Sequence, residues 1–191
     1  MATASKNKAS NVTAGKPKIT GAIFRAPVGS TLPTDAKTEL DAAFKCLGYV
    51  SEDGVTNSNS PESEQTKAWG GDVVLSTQTE KPDTFQFKLI EAKNVDVLKM
   101  IYGDSHVAGT LDTGITVDVT AEDPGPAAYV IEMTLKGGDF KRIVIPSASI
   151  SEMDDIVYND SEPVGYDVTL VATADDTGST HHEYIVKKEA A

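Results

Sequence analysis

Between Tyr129 and Pro146 the chain spells out a β-hairpin residue by residue. Tyr129, Ile131, Met133 and Leu135 alternate with Val130, Glu132, Thr134 and Lys136. Gly137-Gly138-Asp139 then supplies a turn, and Phe140 to Pro146 (FKRIVIP) returns. Successive side chains of a strand point to opposite faces, so a period of two matches a strand and not a helix. The glycines permit the positive φ that tight hairpin connections need. The same period recurs in Tyr166, Val168, Leu170 and Ala172, which alternate with Asp167, Thr169, Val171 and Thr173. Asp175-Asp176-Thr177-Gly178 turns the chain, and His182 to Lys187 reads as a last strand. The C-terminal third is therefore β.

The preceding part is mixed. Thr34 follows Pro33 and can cap a helix, with Asp35 in its first turn. Leu40, Ala43, Phe44 and Leu47 then fall at i, i+3, i+4 and i+7, and Gly48 stands where a left-handed terminator is wanted. Cys46 lies off that stripe and reads as a small, semi-buried residue. Residues 51–71 are polar, with turn formers and Trp69, and read as a long loop. Val73, Leu75, Thr77 and Thr79 share one face of a strand, Lys81-Pro82-Asp83 makes a turn, and Phe85, Phe87 and Leu89 share a face of the next. Residues 72–91 thus read as a hairpin. A second helix is capped by Asn94, carries Val97 or Leu98, Ile101 and Tyr102 inward, and ends at Gly103. Val117 and Val119 suggest a short strand, which Pro124-Gly125-Pro126 ends. At least six strands with one or two short helices predict a mainly β fold, a β-sandwich or open barrel with helix packed at an edge.

Charge separates the halves. The 191 residues carry 17 Lys+Arg and 29 Asp+Glu, a net −12. Residues 1–103 balance, with 12 basic and 12 acidic groups, whereas residues 104–191 hold 5 basic and 17 acidic. The acidic excess argues against gripping nucleic acid through its phosphates. No apolar run approaches the ~20 residues that span a bilayer. Met1 to Lys18 carries four lysines, no acid and no secretory-type apolar stretch, so 1–18 is expected to be a flexible basic arm ahead of one domain over 19–191.

Little in the sequence points to catalysis. His181-His182-Glu183 is the one cluster of metal-ligand types, but neighbours on a strand diverge and cannot chelate one ion. His106 sits in a Gly/Asp loop without an obvious partner. Nucleophile-elbow, phosphate-loop and dinucleotide motifs are absent, and Cys46 is the single cysteine. The expectation is a protein that is not an enzyme and needs no cofactor or metal.

The order of a helix, FKCLGYVSEDGVT (44–56), a polar loop, WGGDVV (69–74), a hairpin, FQFKLIEA (85–92) and a short helix ending IYG (101–103) resembles the major tail tube proteins of long, non-contractile phage tails. The likeness is to siphoviruses, especially those of actinobacteria, and covers about residues 18–175, most specifically 44–103. It implies a β-sandwich akin to the type VI secretion tube protein. It also implies hexameric rings that stack into a tube for DNA ejection. The partners implied are further copies of the chain, a tape measure protein, and tail terminator and tip proteins. The place implied is the virion tail, after assembly in host cytoplasm, with no membrane role. The loop at about 56–71 corresponds to the family's ring-stacking loop, with Asn57, Ser58, Asn59, Ser60, Pro61, Glu62, Glu64, Lys67 and Trp69 as its candidate residues. DNA passes such a lumen without specific binding, because acidic walls create no phosphate wells. Glu152 and Asp167, on polar strand faces, are the lumen candidates. The competing reading is a non-enzymatic β-sandwich that binds a surface or decorates a virion, a stable monomer without a ring-to-ring loop.

Overall fold

Thirteen strands and one α-helix make up the computed structural model, which describes residues 7–188. The strands are β1 (Gly15–Pro17), β2 (Ile23–Pro27), β3 (Lys45–Cys46), β4 (Val50–Ser58), β5 (Glu62–Lys67), β6 (Val73–Glu80) and β7 (Thr84–Leu89). After the helix α1 (Val95–Tyr102) come β8 (Val107–Thr110), β9 (Gly114–Val117), β10 (Ala127–Leu135), β11 (Phe140–Met153), β12 (Tyr166–Ala172) and β13 (His182–Val186). Nine strands form one sheet in the order β3-β2-β10-β11-β12-β7-β4, with β1 beside β10 and β13 beside β11. All the pairings are antiparallel.

The hairpin read at 129–146 is present, with Thr134 opposite Phe140 and Tyr129 opposite Ile145. β11 runs on for 14 residues and holds two partners along one edge. Its first half pairs β13, and its second half pairs β12. Pro146 lies at the hand-over, where the ring's missing N–H costs no ladder bond. The sheet curls so that β4 faces β1 and β10 across a cleft of about 520 Å³, which makes an open barrel. Ile23, Tyr129, Ile131, Ile143, Ile145, Leu170, Phe85 and Leu89 line its inside, and α1 adds Val97 and Met100. Asn94 caps α1 by accepting from the Asp96 N–H at 3.0 Å, and Gly103 ends it at φ +95°. This mainly β architecture is the class that the strand periodicity predicts.

Three elements differ from expectation. Residues 34–47 are not helical. Asp35 closes its own turn, accepting from the N–H groups of Lys37 and Thr38 and from the Thr38 hydroxyl, which offers the backbone an alternative to a helix. The supposed stripe also serves two cores. Leu47 is sealed in the barrel, whereas Phe44, with Leu40 and Ala43, covers Ala26, Val130 and Val144 on the outer sheet face. β10 is apolar on both faces, and the irregular strap 28–44 covers the second one. Arg142 and Glu132 pin that strap and the start of the chain. Arg142 donates to Glu132 through Nε and Nη2 and to the Asp35 carbonyl, and Lys18 reaches Glu132 at 2.8 Å.

The hairpin expected over 72–91 does not form. β6 folds back on β5, and β7 lies between β12 and β4. Phe85, Phe87 and Leu89 are buried only where strands flank them on both sides, and a lone partner such as β6 could not do this. The long loop of 51–71 is largely strand, because β4 and β5 are held by backbone hydrogen bonds that composition does not report. Residues 107–117 form a small extra hairpin, β8–β9, and Val119 lies beyond it. Of the basic arm 1–18, residues 1–6 lie outside the described residues, and Gly15–Pro17 pair with Met133–Leu135.

Candidate assembly surface

β5 and β6 pair with each other and form a sheet of their own. Thr66 faces Leu75, and Glu64 faces Thr77. All fourteen of their residues are exposed, so this hairpin stands away from the barrel. Its tip is a tight turn in which the Ala68 N–H donates to the Asp72 carbonyl at 2.8 Å, with Gly70 and Gly71 at φ +120° and +99°. The turn holds Trp69 fully in solvent, at 107% relative exposure. Val73, Val74 and Leu75 are exposed beside it. A lone two-stranded hairpin is marginally stable in water, and clustered exposed apolar groups mark an interaction surface.

The candidate residues divide along this arm. Asn57 and Ser58 are the last residues of β4, opposite Phe85 and Thr84, so they belong to its root. Asn59, Ser60 and Pro61 link β4 to β5. Glu62, Glu64 and Lys67 lie on β5. Sequence reasoning missed Val73, Val74 and Leu75 because it gave them β7 as a partner. Eleven exposed polar neighbours on β5 and β6 were the available signal that this pair has no core to face.

Asp83 clamps the root. Its side chain is 1% exposed and accepts from Asn57 Nδ2 (2.8 Å), the Thr180 hydroxyl (2.5 Å) and His181 Nδ1 (2.5 Å). An ionised carboxylate only accepts, so Nδ1 carries the proton. Burial pushes the Asp83 carboxyl up, and the bonds from Thr180, His181 and Asn57 outweigh it, leaving it below the usual carboxylate range. The His181 ring meets Phe85 edge-on at 5.3 Å. Asn57 also donates to the Thr84 carbonyl, and the Asp83 carbonyl accepts from the Ala172 N–H. Both ends of the insert and the segment before β13 are thereby tied at one point.

Glu152 and Asp167 share one face of the barrel. Glu152 is opposite Thr169, and Asp167 is opposite Lys88 and accepts from Gln86 Nε2 at 3.3 Å. Thr84, Gln86 and Lys88 complete this polar face and alternate with the buried Phe85, Phe87 and Leu89. The histidines are spread apart. His181 faces Asp83, His182 meets Asp175 at 2.9 Å, and His106 meets Glu122 at 3.0 Å. Among the described residues no group of three or more His, Cys, Asp and Glu side chains could hold a metal.

No curated protein matches the chain. A family model described as phage tail tube protein matches residues 4–191, nearly the whole length, and the curled sheet with its free-standing exposed hairpin is a surface suited to repeated self-contact. On that match the chain belongs to the phage tail tube protein family, a structural component of the virion tail.

Proposed function

We propose that this chain is the repeating brick of a long, non-contractile phage tail of the siphovirus type. Six copies close a ring, rings stack into a tube, and DNA leaves the capsid through it. The tube encloses a tape measure protein and ends on terminator and tip proteins, and it grows in the host cytoplasm before joining the virion. The stacking element is the insert from Asn57 to Glu80, and one observation carries this reading: the fourteen residues of β5 and β6 and Trp69 are folded into a hairpin that nothing among the described residues covers. Burying that apolar tip against another copy supplies the free energy that isolated hairpins lack.

The polar face bearing Glu152 and Asp167 lines the channel. Each copy contributes −12, so a ring of six carries −72 (6 × −12), and on this face Lys88 stands opposite Asp167, which offsets its pull on passing phosphates. Replacing residues 60–81 by a Gly-Gly link tests the stacking role. The barrel should stay folded by circular dichroism, and negative-stain fields should lose their tubes. Tubes of normal length from the shortened chain would overturn the reading.

A further inference from the structure

We propose that the cleft beside α1 is the socket for the insert's tip from a second copy of this chain, so that copies join head to tail. The proposal rests on the insert being the stacking element and names what receives it. The cleft has a volume of about 420 Å³, and Pro27 and Ala43 contribute apolar surface to its wall. Arg25, Lys45 and Lys99 surround it together with Asp96 and Asp104. Arg25 is engaged by Asp104 through two bonds of 3.0 and 3.1 Å. Lys45 donates to the Ala42 carbonyl, and among the described residues neither Lys45 nor Lys99 closes a salt bridge. Lys99 also lies within the field of Asp104, so the cleft as a whole carries three cations against two acids, a positive excess of one beside its apolar wall.

The insert is complementary. From Glu62 to Glu80 it carries four acids, Glu62, Glu64, Asp72 and Glu80, against Lys67 alone. Its tip is a bare indole, and an indole suits an apolar slot flanked by ammonium groups, which attract its face.

The topology sets these two features apart. The insert leaves the sheet where Ser58 pairs with Thr84, at the start of β7. The chain enters α1 after Leu89, at the other end of β7, and Asn94 there donates to the Cys46 carbonyl of β3. Plug and socket thus lie toward opposite ends of a strand about 17 Å long. A plug at one end and a socket at the other make a heterologous contact, which repeats without closing and builds an open stack.

Trp69 is the chain's single tryptophan, so its fluorescence reports the tip alone. Wild-type protein and the double variant Lys45→Glu, Lys99→Glu are compared as each is concentrated. The variant Lys136→Glu, Lys187→Glu, altered far from α1, controls for net charge. Circular dichroism checks that all three are folded. On assembly, wild type and control should shift their emission to shorter wavelength and lose acrylamide quenching several-fold, while the cleft variant keeps the emission of a solvated indole. If the cleft variant buries Trp69 as wild type does, the tip seats elsewhere and the socket is wrong, although the stacking role stands. If Trp69 stays solvated in wild-type tubes, the stacking role fails and the socket falls with it.

Discussion

Asp83 Oδ2 lies 2.5 Å from His181 Nδ1, a contact between residues 98 apart that joins the foot of the insert to the strand leading out of the barrel. Because the carboxylate is buried and bound by three donors, Asp83→Asn should destabilise the fold by about 2–4 kcal/mol, as an amide turns N–H groups toward donors. Urea unfolding measures this. A loss under about 0.5 kcal/mol would mean the clamp contributes nothing.

Acid should weaken the protein in a defined window. Asp83 and Asp175 titrate below their ordinary value, and Asp35 is brought down to about 2 by the Thr38 hydroxyl and the Thr38 and Lys37 N–H groups. Asp175 is held down by the Thr177 hydroxyl, His182 and the Ser179 N–H. Depressed carboxyls bind protons less readily folded than unfolded, so their stabilisation is complete above the ordinary value of 3.8 and is lost as pH falls toward about 2. Melting temperature against pH should be flat above pH 5 and fall steeply below 4, and Asp83→Asn should make that fall shallower.

Phe44→Ala should cost about 3–5 kcal/mol, the usual range for emptying a buried phenylalanine site. Phe44 is buried against Ala128, Val130 and Val144 although no helix carries it. A chemical melt showing less than about 1 kcal/mol would mean the strap is not a true second core.

Glu132→Gln should cost about 3–5 kcal/mol, because Arg142 would keep its charge in a buried site with its ionic partner gone. The matched variant Lys18→Met removes a half-exposed ion-pair partner and should cost within about 1 kcal/mol. Equal losses in the two variants would contradict the assignment of Arg142 as the group that needs Glu132.

Leu75→Ser should leave stability within about 0.5 kcal/mol of wild type, since the side chain is exposed in the free subunit. Turbidity or light scattering should nonetheless show slower tube growth. Growth at the wild-type rate would remove Leu75 from the contact.

The elements that could be read directly are those whose local signals agree with their long-range surroundings. The 129–146 hairpin combines alternation, a Gly-Gly turn and burial, and α1 combines a cap, a stripe and a glycine stop. The strap failed because Phe44 and Leu47 sit at helical spacing yet enter different cores, and spacing does not say which core a side chain joins. β4 and β5 were hidden by polar composition, since a strand needs hydrogen-bonding partners more than apolar residues. Among the site residues, Trp69 and its polar surroundings stood out, whereas the burial of Asp83 follows from Asn57, Thr180 and His181 meeting in space and leaves no local trace.

β11 is the one strand that holds β10 along one edge and both β13 and β12 along the other. The part of the sheet that holds β13 and the part that holds β12 are therefore joined through one continuous backbone. A load passed between those two parts runs along covalent bonds as well as across hydrogen bonds, an arrangement that suits the wall of a tube.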